Sequence, residues 1–233
     1  MNTVREFSDN SAEPAVRGFF HEPAQPHGDA LVLTHGAGGN CQSKLLTAVA
    51  NAFADAGYLV LRCDLPFRQS RPSGPPFPAM AARDREGLRR AVEVLRSMIV
   101  EKMAPEKMAA EKMTAGKIFL GGHSYGGRQS TMLAAEQPQL VAGLILLSYP
   151  LHPPRKPADL RTAHFPKLNT PALFVHGSRD PFGPHAEMKE ALALIPVPTS
   201  LMEVEGAGHD LLGKKTNDDL PMKIAAAFQT FFK

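Results

Sequence analysis

Residues 117–129, Lys117-Ile118-Phe119-Leu120-Gly121-Gly122-His123-Ser124-Tyr125-Gly126-Gly127-Arg128-Gln129, join two kinds of local pattern in one short stretch. The apolar run Ile118-Phe119-Leu120 reads as a buried strand. The chain then passes through Gly121–Gly127 into a helical stretch, Arg128 to Glu136. Between the two lies Gly122-x-Ser124-x-Gly126. A strand that turns sharply into a helix forces its central residue into strained dihedrals. Neighbours two positions away must then lack side chains so that the backbones can pass. The serine hydroxyl stands at the tip of such a turn, and the N–H of Tyr125 opens a helix, where a backbone donor can meet an oxyanion. The pattern predicts a nucleophile at Ser124; its rival is a Gly-rich turn with an incidental serine.

The surrounding composition bounds what such a serine can serve. A chain of 233 residues suits one α/β domain, residues 1–233, with a sizeable core. A hydrophobic share of 43% and a charged share of 21% are ordinary for a globular chain. The net charge of +3 is too small to point to nucleic acid, and no basic stripe interleaves with aromatics. The opening MNTVREFSDN has no apolar segment of the secretory type, and no apolar run approaches a membrane span. Cys41 and Cys63, with no C-x-x-C and no metal-ligand spacing, predict free thiols in a reducing cytoplasm. The expectation is a small-molecule substrate, without nucleic acid or membrane as partner; oligomeric state is left open.

In chain order, residues 1–29 hold two weakly alternating segments, Val4–Phe7 and Val16–Phe20, that read as a hairpin at a sheet edge. Asp29–Thr34 is a buried strand ending in His35-Gly36-Ala37-Gly38-Gly39-Asn40. A helix follows from about Ser43 to Ala56, with Leu45, Leu46, Val49, Ala50 and Phe53 at helical spacing and Gly57 as its stop. Tyr58–Cys63 is the next strand. Such alternation implies right-handed crossovers, a mostly parallel sheet with helices on both faces, and ligands at the carboxyl ends of the strands.

Residues 64–78, DLPFRQSRPSGPPFP, are too rich in proline for a helix or inner strand and predict a loop at that carboxyl edge. A long helix is expected from Ala79 to Lys102. Three copies of a five-residue repeat then fill 101–115, a period that matches neither helix nor strand and reads as a surface insertion. Leu140–Tyr149 is the most apolar strand. The proline-rich segment 150–167 is expected to form a short flap over the site, too short for a separate cap. Pro171–Val175 and Thr199–Val204 are the last strands, and a helix over 218–232 closes the domain.

Two loops supply partners for Ser124. Asp180 follows one predicted strand and His209 follows the next, at the sheet edge where Ser124 also lies. In this arrangement Asp180 holds the imidazole in one tautomer while His209 takes and returns the serine proton. Rivals are Asp159 or Asp210 for the carboxylate, and His152, His164 or His185 for the base. The His35–Gly39 stretch has two readings. As an oxyanion loop it donates a backbone N–H from Ala37, beside that of Tyr125, with His35 bracing the loop. As a dinucleotide fingerprint it pairs Gly36-x-Gly38 with Asp64, but its third glycine position holds Cys41. Phe67 and Arg68, with Leu65 and Arg71 beside them, are candidates for the substrate pocket, as are Tyr149 and Phe182.

Residues 30–233 resemble the α/β-hydrolase superfamily, on the strength of HGAGG, GHSYGG, HGSRDP and GAGHD and the chain order Ser124, Asp180, His209. The form without a cap is similar to the small bacterial dienelactone-hydrolase-like group. Dienelactone hydrolase itself carries a cysteine where this chain has Ser124. The resemblance implies a mainly parallel eight-stranded sheet, of which six strands are clear in this sequence. It also implies a serine hydrolase of the carboxylesterase kind, without cofactor or metal. A non-catalytic interaction module on the same fold is the alternative from another class.

Overall fold

Ala30–Thr34 (β3) shows no alternation of apolar and polar residues, and every one of its residues is buried. A strand can be so only where both faces of the sheet are covered. The computed structural model, which describes residues 1–102, 116–212 and 219–233, places β3 near the centre of an eight-stranded sheet. The other strands are β1 (Thr3–Asp9), β2 (Val16–Glu22), β4 (Leu59–Cys63), β5 (Ile118–His123), β6 (Gly143–Leu147), β7 (Ala172–Gly177) and β8 (Thr199–Val204). Their spatial order is β1-β2-β4-β3-β5-β6-β7-β8. β1 and β2 form an antiparallel hairpin at one edge, and β2 also runs antiparallel to β4. Every other neighbouring pair is parallel.

After β3 the chain moves to one side to make β4, then returns to the other side to make β5. That reversal opens a crevice at the carboxyl ends of β3 and β5, the place where open α/β sheets bind ligands. Both Gly-rich stretches of the sequence end there.

Helices cover the two faces. α1 (Lys44–Asp55) and α6 (Leu220–Phe231) pack on one; α3 (Ala81–Lys102), α4 (Tyr125–Glu136) and α5 (His185–Leu192) pack on the other. α1 starts where Ser43 caps it, the Ser43 hydroxyl accepting from the Leu46 N–H, and its buried face carries Leu45, Leu46, Val49 and Phe53.

Several boundaries depart from the sequence reading. Pro66–Ser70, expected as loop, is a short helix, α2. Proline fits its first turn, where the N–H it lacks would have no partner. A 3-10 turn, Pro78–Met80, precedes α3, so the long helix begins at Ala81. α5 was not anticipated; only Met188, Ala191 and Leu192 of it are buried, too thin an apolar stripe to stand out. The 150–167 segment is anchored to the body of the domain. Phe165 is fully buried against Tyr149, and His164 meets Thr131 of α4. Apart from Glu101 and Lys102, which end α3, the five-residue repeat lies outside the described residues. No described helix is long and apolar enough to cross a membrane.

The α1/α6 side closes around one aromatic ring. Phe228 is fully buried, with ring centroids of Phe119, Phe53 and Phe232 at 4.8, 5.1 and 4.5 Å. Phe228→Ala opens a cavity that rigid strands cannot fill, at a cost of about 3–5 kcal/mol. Chemical denaturation should show that loss as a lowered midpoint.

Candidate active site

Ser124 sits between the last residue of β5 and the first of α4 with φ 50° and ψ −114°. A side-chain-bearing residue adopts such a conformation only when its surroundings impose it. Here the imposition is backbone against backbone. A Cβ on Gly122 would lie 2.7 Å from the Thr34 carbonyl oxygen, and one on Gly126 would lie 2.5 Å from that of His35. Neither contact can yield by a rotamer change, so the two glycines let β3 and α4 approach closely enough to set the turn.

His209, in the loop after β8, has Nε2 at 2.8 Å from Ser124 Oγ. Its Nδ1 lies 2.8 and 3.0 Å from the two carboxylate oxygens of Asp180, in the loop after β7. With Nδ1–H donating to Asp180, Nε2 carries the lone pair and accepts the serine proton. Asp180 is buried and also accepts from the Phe182 N–H at 2.9 Å. The Phe182 ring lies against the imidazole, with centroids 4.2 Å apart. A second histidine holds the loop: His123 Nε2 is 2.9 Å from the His209 carbonyl oxygen. Burial pushes the His123 pKa below its ordinary value, which keeps the ring neutral and its Nε2–H a donor.

The rivals are placed elsewhere. His152 faces Glu187 at 3.0 Å, His185 faces Glu203 at 3.2 Å, and His164 meets the Thr131 hydroxyl at 2.8 Å. Asp159 is exposed on the 150–167 segment. Asp210 lines the cleft, but the His209 ring turns its nitrogens to Asp180 and Ser124.

The cleft beside Ser124 has a volume of about 610 Å³ and is walled by Gly36–Gly39, Leu45, Phe182, His209 and Leu212. The loop after β3 is anchored from behind. The His35 Nδ1–H donates to the Gly36 carbonyl at 2.8 Å, and the Leu65 N–H donates to His35 Nε2 at 3.1 Å. Because C=O and N–H point oppositely across a trans peptide, a Gly36 carbonyl held toward His35 turns the Ala37 N–H away from it. Among the described residues the N–H groups of Ala37 and Tyr125 meet no acceptor. Asp64 is also committed to this loop: one oxygen accepts from the Cys41 N–H at 2.7 Å and lies 3.4 Å from His35 Nε2. In the dinucleotide reading that carboxylate would have to face a ribose.

Three of the six expected pocket residues turn out to be supports. Phe67 is buried beneath His35 and Tyr125, with ring centroids 5.5 and 5.7 Å away. Tyr149 is buried, its hydroxyl donating to the Arg161 carbonyl at 2.6 Å. Arg68, 7% exposed, gives its donors to backbone carbonyls: Gly39 at 2.7 Å, Ala37 at 2.9 Å, Gly74 at 3.0 Å and Arg71 at 3.2 Å. It ties the 36–39 loop to the loop after α2. Only Phe182 faces the cleft.

Sequence reasoning missed Asp84. This fully buried carboxylate of α3 accepts from the Tyr125 hydroxyl at 2.7 Å and from the Phe67 N–H at 3.0 Å. Burial raises its pKa. Its position four residues before Leu88, on the apolar stripe of α3, was the available signal. Both cysteines are free and buried, and burial pushes the Cys41 thiol up to about 12. Among the described residues no group of three His, Cys, Asp or Glu side chains could hold a metal ion.

The family model described as "Alpha/beta hydrolase domain" matches residues 27–231. The chain belongs to that family. Solved structures share the fold of this α/β-hydrolase at low sequence identity. Dienelactone hydrolase from Anabaena variabilis is 20% identical, with 99% of this chain and 97% of that one covered and a TM-score of 0.71. An alpha-beta serine hydrolase homologue from Coxiella burnetii is 19% identical over 96% of each chain, with a TM-score of 0.70. A serine hydrolase without lid from Xanthomonas campestris is 16% identical, covering 97% of this chain and 92% of that one, with a TM-score of 0.66. Among the described residues this α/β-hydrolase carries no separate cap.

Arg68→Met removes the anchor behind the 36–39 loop and leaves the Ser124, His209 and Asp180 side chains in place. Turnover of a short-chain ester should fall about 10- to 100-fold in kcat while KM stays within about twofold. Steady-state kinetics read the split; lysine, which lacks the planar fork, should restore only part of it.

Proposed function

We propose that this α/β-hydrolase is a serine hydrolase that cleaves an ester, thioester or related acyl bond through an acyl-enzyme. The observation that carries this reading is the unbroken line from Asp180 through His209 to Ser124, at 2.8 Å for each step. As Ser124 Oγ attacks the acyl carbon, its proton passes to His209 Nε2, and Asp180 stabilises the resulting imidazolium. The carbonyl oxygen becomes an oxyanion that accepts from the Ala37 and Tyr125 N–H groups. Collapse breaks the bond to the leaving group, which departs with the proton from His209. Water then repeats the sequence, releasing the acid and restoring Ser124.

Burial of Asp180 supports its role. A carboxylate shielded from water interacts strongly with a histidine cation and fixes the ring that carries it. The neutral His123 adds no positive charge next to His209. Small walls at Gly36–Gly39 let an acyl carbonyl approach the main chain. The two free, buried thiols fit a reducing compartment, and the cytoplasm is the proposed setting.

Ser124→Ala should abolish labelling by a fluorophosphonate probe and lower kcat for p-nitrophenyl acetate by at least about a thousandfold. Wild-type rates in that variant would move the nucleophile elsewhere.

A further inference from the structure

Phe182 is built onto His209 more firmly than a pocket wall requires. Its ring centroid lies 4.2 Å from that of the imidazole, with the planes inclined by 31°. Rings side by side in one plane cannot come that close, so Phe182 lays its face on the imidazole. The backbone on both sides of the ring is fixed. The Phe182 N–H donates to Asp180 Oδ1 at 2.9 Å, and the Phe182 carbonyl accepts from the His152 N–H at 3.0 Å. The next residue, Gly183, packs so tightly that a Cβ on it would stand 2.9 Å from the Leu151 Cβ, and its carbonyl accepts from His176 Nε2–H at 2.7 Å. The loop that gives His209 its carboxylate partner thus also covers one face of its ring.

What that cover does depends on the charge of the imidazole. An aromatic face carries negative partial charge and attracts a cation within about 6 Å of its centre. To a neutral His209 it offers contact alone. Once Nε2 has taken the Ser124 proton, a cation lies against the face. The other groups around the ring are accounted for. Asp180 is wholly buried at 2.8 Å, with His176 Nε2 behind it at 3.8 Å. His123, its ring centroid 5.1 Å away, is kept neutral by burial and adds no repulsion. Lys44 and Asp210, of opposite charge, line the cleft. Among the described residues Phe182 supplies the one phenyl ring beside the imidazole.

We propose that Phe182 is a positioning residue whose ring face stabilises the His209 imidazolium while that ring holds the Ser124 proton. The role rests on the serine-hydrolase reading for its reaction, but the face attracts the protonated ring whether or not Ser124 reacts. An interaction present with the cation and absent with the neutral ring speeds the step without tightening substrate binding. Its loss lowers kcat and kcat/KM together, whereas a mere wall for the acyl group would act on KM. The cation forms in acylation and again in deacylation, so kcat responds whichever step is slower.

The test replaces Phe182, in the full chain, by 4-fluoro-, 3,5-difluoro- and 3,4,5-trifluorophenylalanine, which keep the shape of the ring and drain charge from its face. With p-nitrophenyl acetate, kcat should fall stepwise along the series, by about 3- to 30-fold at the last member, while KM stays within about twofold. Phe182→Leu should be slowed as well, and Phe182→Tyr should keep rates near those of the wild type. Heteronuclear NMR of the histidine rings gives a readout free of turnover: with the trifluorinated ring, His209 should take up its proton at lower pH than in the wild type. A flat kcat series in a protein that labels with fluorophosphonate overturns the role of the face and leaves the hydrolase reading intact, even where Phe182→Leu is slow. A protein that never labels at Ser124 removes the hydrolase reading. The titration then decides: a lower midpoint upholds the attraction of the face for the cation, and an unmoved one overturns it.

Discussion

The site depends on how closely two backbones can pass. Ser124 holds a left-handed conformation that costs on the order of 1–3 kcal/mol for a residue with a side chain. What sustains it is the contact of β5 and α4 with the end of β3, where Thr34 and His35 carbonyls lie within 2.7 and 2.5 Å of the positions a Cβ would take on Gly122 and Gly126. The same approach sets the loop after β3 against the start of α4. A strained serine, a free helix N-terminus and a Gly-rich loop are therefore consequences of one packing constraint. The parallel register of β3 with β5, which pairs Thr34 with Gly122, places that constraint at the reversal of strand order.

Around this centre, buried polar groups do the holding. Asp84 reaches from α3 to the Tyr125 hydroxyl and the Phe67 N–H. Arg68 collects carbonyls from two loops, and His35 links the loop after β3 to the one after β4. Each is a buried group whose hydrogen bonds are met by backbone or by a single neighbour, which gives a loop a definite position that apolar contact alone would not. Arg62 behaves likewise at the far side of β4, donating to His21 and to the Cys41 carbonyl beneath the Phe19 ring. Loops that carry the chemistry are thus tied to the sheet by charge and dipole.

Much of this was legible in the chain. The strands β3 to β8 and the helices α1, α3, α4 and α6 follow from apolar runs and helical spacing, because burial on both faces leaves a strong signal. The order Ser124, Asp180, His209, each just after a strand, brought together groups far apart in sequence. What stayed hidden was of two kinds. α5 and α2 are short, and their form is decided by what they pack against and by proline at a first turn. The supports were misjudged because a sequence does not say which way a side chain turns. Phe67, Arg68 and Tyr149 lie near the site in the chain and point into the body of the domain, whereas Asp84 lies far away in sequence and reaches Tyr125, the residue after Ser124.

The most direct test of the account is a crystal structure of the protein after reaction with a small alkyl fluorophosphonate. The account predicts phosphorus bonded to Ser124 Oγ, with one phosphoryl oxygen about 2.7–3.1 Å from the N–H nitrogens of both Ala37 and Tyr125 and the His209 ring still held by Asp180. An adduct on another residue, or a phosphoryl oxygen turned away from both N–H groups, would contradict it.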